Sequence, residues 1–123
     1  MRLWKIFFGV AAFFNLLVGG AMFAGAQVVA QHMHADTPIG LYLIMMVGAM
    51  IAVFGLGYAL VASDPVRNRA LVIVGVVGKL GAVAIALMNR AALPESTFWL
   101  SMGDLPFALA FIAFLVSTQR QHS

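Results

Sequence analysis

The stretch from Pro65 to Asn89, PVRNRALVIVGVVGKLGAVAIALMN, is almost wholly apolar yet carries a lysine, Lys79, near its centre. As a helix rising ~1.5 Å per residue, a run of this length crosses the ~30 Å hydrocarbon layer of a bilayer. A lysine at the midplane costs roughly 2.5–3.5 kcal/mol on insertion scales, so it has to face protein or trapped water and find a partner there. The one carboxylate inside another apolar run is Asp104. Together these residues predict an all-α membrane bundle built around a Lys79–Asp104 pair.

Composition agrees. Of 123 residues, 63% are hydrophobic and 9% charged, whereas charged residues make up about a quarter of a soluble domain. The chain reads as a single integral membrane domain over residues 1–123. Its net charge of +3 comes from seven Lys and Arg. Apart from Lys79 these stand near the ends of apolar runs, as topology signals do, and they form no basic patch for a nucleic-acid partner. The absence of cysteine rules out a disulfide, a thiol nucleophile and a thiolate metal site, and leaves the compartment unmarked.

Four runs are long enough to span: Leu3 to Gln27, Ile39 to Ala62, Val66 to Asn89, and Thr97 to Thr118. Arg2 and Lys5, the apolar stretch and then Ala24-Gly25-Ala26 mimic a signal peptide. The apolar part, Ile6 to Ala24, exceeds the ~7–15 residues of a signal core, so the run is expected to be an uncleaved first span. Asp36-Thr37-Pro38, Ser63-Asp64-Pro65 and Pro94-Glu95-Ser96 separate the runs, each placing a capping residue beside a proline that can occupy or precede the first helical turn. Links this short predict antiparallel neighbours, up-down-up-down.

The flanking charges orient the bundle. Arg2, Lys5, Arg67, Arg69 and Arg120 fall on one side and Arg90 alone on the other. By the positive-inside rule, both termini and the link around Ser63 are cytoplasmic, while the links around His32 to Thr37 and Arg90 to Ser96 face outward. Trp4 and Tyr58 are expected at the inner interface, Tyr42 and Trp99 at the outer one.

Small residues mark the packing faces, because in lipid they let backbones approach. Gly48, Ala52, Gly55, Ala59 and Ala62 form one stripe; Gly75, Lys79, Ala82 and Ala86 form another. Ala11, Asn15, Gly19 and Met22 do the same in the first run, and Ser101, Asp104 and Ala108 in the fourth. Counted from the outer helix ends, Asp104 lies roughly 10 Å deep, Lys79 roughly 15 Å and Asn15 roughly 16 Å. A layer of Lys79, Asp104, Asn15 and Ser101 is therefore expected. Pro106, unable to donate to the Met102 carbonyl, should loosen the helix beside Asp104.

Such a layer has three readings: an internal tie that fixes which helices pair, a pocket or proton-bearing site for a small anionic or lipid-soluble ligand, or a pair completed by another subunit. A second cluster, His32, His34 and Asp36 with Met33 between them, has the ligand types for zinc or copper. Its alternative is a solvated loop. Eight methionines and ten phenylalanines read as lipid-facing filler. The glycines at 75, 78 and 81 read as packing and not as a nucleotide loop. Residues 64–69 suit lipid phosphates at the cytoplasmic face, and His122 falls in a polar tail. No catalytic triad, paired carboxylates or intramembrane haem-ligating histidine is present in the sequence.

Two stretches, FGLGYALVASDPVRNRALVIVGVVGKLGAV and GDLPFALAFIAFL, resemble the small four-helix bacterial inner-membrane proteins of the broad DoxX-like kind. The resemblance implies a compact four-helix membrane protein, in some cases associated with redox or quinone-linked systems. Without cysteine, no thiol version of that chemistry transfers.

The sequence thus points to a small accessory or interaction subunit of the bacterial inner membrane, with the bilayer, a larger complex or a second copy as partner. No cofactor is identified. The rivals are a transporter or binder that uses Lys79 as an anion contact, and a quinone-linked or redox accessory, for which no adequate residue set exists.

Overall fold

The computed structural model describes residues 1–119, so Arg120 and His122, assigned above to a cytoplasmic tail, lie outside the described residues. The described chain is helical: α1 (Arg2–Ala24), α2 (Ala26–His32), α3 (Pro38–Ser63), α4 (Arg69–Met88), a 3-10 turn (Arg90–Ala92), α5 (Glu95–Met102) and α6 (Asp104–Ser117). Four helical stretches are long and apolar enough to cross a membrane: α1, α3, α4, and α5 with α6 taken together from Glu95 to Ser117.

The boundaries follow local chemistry. Thr37 caps α3, its Oγ1 accepting from the Gly40 N–H at 3.1 Å, with Pro38 in the first turn, where a missing N–H costs nothing. Helix α4 begins at Arg69, three residues later than expected. The delay comes from a turn in which Asp64 Oδ1 accepts from the Arg67 N–H at 3.2 Å and Asn68 Nδ2 donates to the Leu60 and Asp64 carbonyls, each at 3.0 Å. The first run also differs from expectation. Gly25 ends α1, and a separate α2 carries the chain on to His32.

In the fourth run the interruption falls at Gly103, directly before Asp104. Pro106 sits in the first turn of α6 and has no N–H to donate to the carbonyl four residues earlier, that of Met102, the last residue of α5. The break therefore lies where the proline is expected to loosen the helix, beside Asp104.

Helices α1 and α3 approach most closely. A Cβ added at Gly19 would lie 2.5 Å from both the Ala52 nitrogen and the Gly48 oxygen, and one at Gly55 would lie 2.9 Å from Leu16 Cγ and 3.1 Å from the Ala12 oxygen. These contacts run in opposite sequence order, so the two helices are antiparallel. Gly48, Ala52 and Gly55 thus form the expected close face, but Ala59 is exposed. Aromatic side chains fill the bundle beyond this contact. Phe8 stands 5.0 Å from Phe111 and 5.1 Å from Phe114, and Trp4 stands 5.1 Å from Phe114, ring centre to ring centre. Filler thus describes exposed Phe13 and Phe23, but buried Phe8, Phe111 and Phe114 are core. Tyr58 is also core, not an interfacial anchor.

Candidate functional site: a polar layer across four helices

Lys79 stands midway along α4 with its side chain 5% exposed. Gly75, one turn earlier, makes room for what covers it: a Cβ there would lie 2.8 Å from Tyr58 Cε1. The Lys79 ammonium donates to Asp104 Oδ1 at 2.8 Å and to Asn15 Oδ1 at 3.3 Å. Asn15 in turn donates through Nδ2 to the Ile51 carbonyl at 3.1 Å. Three hydrogen bonds therefore connect α4, α6, α1 and α3 in one layer.

The walls of this layer are aromatic. The ammonium lies 5.1 Å from the ring centre of Phe107, 5.3 Å from Tyr58, 5.9 Å from Phe14 and 6.0 Å from Phe111. Rings at this distance attract a cation through their negative faces, an effect of about 0.5–2 kcal/mol that grows as water is removed. A buried lysine needs such company, since an unpaired charge in an apolar interior is far costlier than a paired one. Asp104 is more open than its partner, at 23% exposure.

Of the four residues expected in the layer, the structure brings Lys79, Asp104 and Asn15 together. Ser101 stays apart, because its Oγ donates to the Thr97 carbonyl of its own helix at 3.0 Å. A hydroxyl within a helix commonly finds that internal acceptor first. The sequence reading missed the Ile51 carbonyl, because a backbone acceptor has no side-chain signature. It also missed the aromatic cage, although Phe107 and Phe111 were detectable on the face of Asp104 by their spacing of three and seven. Nothing in the sequence marks Tyr58 as their neighbour.

The proposed metal ligands do not converge. His32 ends α2 and pairs through Nε2 with Ser96 Oγ at 2.5 Å, tying α2 to the start of α5. His34 takes the left-handed conformation, φ 56°, that closes the end of α2, with the Ala35 N–H donating to the Ala30 carbonyl at 2.8 Å. Asp36 lies further on in the link. Among the described residues, no three His, Cys, Asp or Glu side chains are grouped to hold a metal ion.

Two more contacts tie the ends of the bundle. Arg69 donates to the Leu115 carbonyl at 3.1 Å and to Thr118 Oγ1, so a cation expected to serve as a topology signal also caps the last turn of α6. Arg90 lies over the Phe98 ring, 4.1 Å from its centre. A cleft of about 460 Å³ opens between α1, α2 and α5, and Lys79 is not part of its wall. Neither a family model, nor a curated protein, nor a solved structure matches this chain.

Proposed function

We propose that this chain is a four-span accessory or interaction subunit of the bacterial inner membrane, in which the Lys79, Asp104 and Asn15 layer fixes helix order. The observation that carries this reading is the engagement of Lys79 by the protein's own groups. Two protein oxygens lie within 3.3 Å of its ammonium and four aromatic rings surround it, which leaves a substrate little to replace. A ligand contact would need an open donor beside a cavity. The proposal includes an up-down-up-down course with cytoplasmic termini, supported by the excess of Arg and Lys at one end. It also includes kinship with the DoxX-like group, on the shared runs quoted above.

In this role the four short spans offer their outer faces, lined by exposed residues such as Met46, Met50 and Val53, to a larger membrane protein. Extraction in a mild detergent should therefore bring down a partner in fixed ratio, and Lys79→Met should weaken that assembly. A chain that purifies alone under conditions preserving other membrane complexes, with Lys79→Met changing nothing, would refute the proposal. The second reading, a binder of a lipid-soluble molecule, is favoured by one observation: the apolar cleft away from Lys79.

A further inference from the structure

The fourth membrane-length stretch, from Glu95 to Ser117, is held unevenly along its length. Its second part, α6, buries Ala108, Phe111 and Phe114 and is tied near both ends: Asp104 accepts from Lys79 at 2.8 Å, and the Leu115 carbonyl accepts from Arg69 at 3.1 Å. Its first part, α5, buries Phe98 alone. Thr97 and Leu100 of α5 border the cleft that parts it from α1 and α2. Among the described residues, one hydrogen bond joins an α5 side chain to another helix, that between Ser96 Oγ and His32 Nε2 at 2.5 Å. Trp99 and Ser101 bond within α5, to the Glu95 carboxylate and the Thr97 carbonyl. Arg90, over the Phe98 ring at 4.1 Å, belongs to the link that leads directly into α5, so this contact ties α5 to its own connection.

The junction between the two parts is the weakest point of the stretch. Gly103 ends α5, and three residues later Pro106 has no N–H for the Met102 carbonyl. Glycine and proline are the two poorest helix formers, and a helix bends where its backbone ladder is interrupted. Asp104 stands between them, paired to Lys79. The α6 side of the junction is therefore fixed to the core, and α5 is the part left to turn.

We propose that α5 is a latched flap: it swings about the segment from Gly103 to Pro106, and the His32–Ser96 hydrogen bond holds its far end against α2. The Lys79–Asp104 pair stays closed during the swing, because both residues lie beyond the flap. Asp104 sits on the hinge itself and is 23% exposed against 5% for Lys79, so the position of the flap sets how open that carboxylate is.

The chain has no cysteine, so a pair of introduced thiols is the sole target for nitroxide labels. Val28→Cys on α2 with Leu100→Cys on α5 reports on the flap, and Val10→Cys on α1 with Leu109→Cys on α6 is the reference; all four side chains are exposed. Electron paramagnetic resonance on the full chain in lipid nanodiscs measures both distances. With His32→Ala added, the flap pair should show a second, longer distance whose share is roughly fivefold that in the parent, the weight of one net hydrogen bond. The reference pair should keep the parent distance. Ser96→Ala removes the same bond from the other side and stands in should His32→Ala not fold. Adding Pro106→Ala, which returns a backbone donor to the Met102 carbonyl, should take the longer distance away again, an effect that a general loss of stability would not produce. An unchanged flap pair without the latch, the same lengthening in the reference pair, or a longer distance that survives Pro106→Ala would each overturn the proposal.

Discussion

Lys79 and Asp104 share a hydrogen bond of 2.8 Å but not a common environment, the lysine being 5% and the aspartate 23% exposed. Their removal should therefore cost unequal amounts. Asp104→Leu leaves an ammonium among aromatic rings with Asn15 Oδ1 as its remaining oxygen, and an uncompensated buried charge costs about 3–5 kcal/mol. Lys79→Met leaves a carboxylate that its greater exposure relieves, so a loss of roughly 1–2 kcal/mol is expected, near the upper range for interhelical polar contacts in membranes. The double variant should recover most of the larger loss, because two apolar side chains strand no charge. Detergent-titrated unfolding of the purified protein measures all four states, and additive losses would show that the two groups do not act as a pair. The pair itself was legible in the sequence, since only one carboxylate stood inside another apolar run. The aromatic cage was not, because its members come from α1, α3 and α6 and meet only after packing.

At the scale of the helix, the α1–α3 contact depends on missing atoms. Gly19 and Gly20 are neighbours, yet a Cβ at Gly19 would strike the α3 backbone at 2.5 Å while one at Gly20 meets nothing within 4 Å. Gly19→Ala should destabilise the bundle by about 1–3 kcal/mol, as overpacking does, and Gly20→Ala should stay within about 0.5 kcal/mol of the parent. Thermal unfolding in one detergent compares the two directly; equal effects would mean that the close approach is not maintained in the micelle. Small-residue spacing correctly located Gly48, Ala52 and Gly55, but it also included Ala59, which the helix turns outward. Hydrophobicity could not separate these positions, because lipid and protein interior favour the same side chains. The break at Gly25 escaped the reading for a similar reason: Ala24 and Ala26 on either side keep the run apolar, so no change in composition marks it.

For the whole molecule, the membrane course is the expectation with the widest reach. Reporter domains fused after Ser63 and after Gln119 should be active on the cytoplasmic side, and those inserted at Thr37 and Leu93 on the opposite side, as the positive-inside bias requires. Swapped activities would invert the bundle without disturbing any contact described above. The amino-acid sequence by itself determined that the chain is helical, that four stretches suffice to cross a membrane, and that a lysine among them needs a carboxylate; these follow from length, polarity and the cost of a charge in hydrocarbon, all local quantities. Tertiary structure alone decided that the Ile51 carbonyl completes the layer, that Ser101 turns back on its own helix, that His32 meets Ser96 across 64 residues of chain, and that a cleft remains between α1, α2 and α5. Those outcomes depend on how helices rotate and tilt against one another, and side-chain shape at the contacts fixes that only once the helices have met.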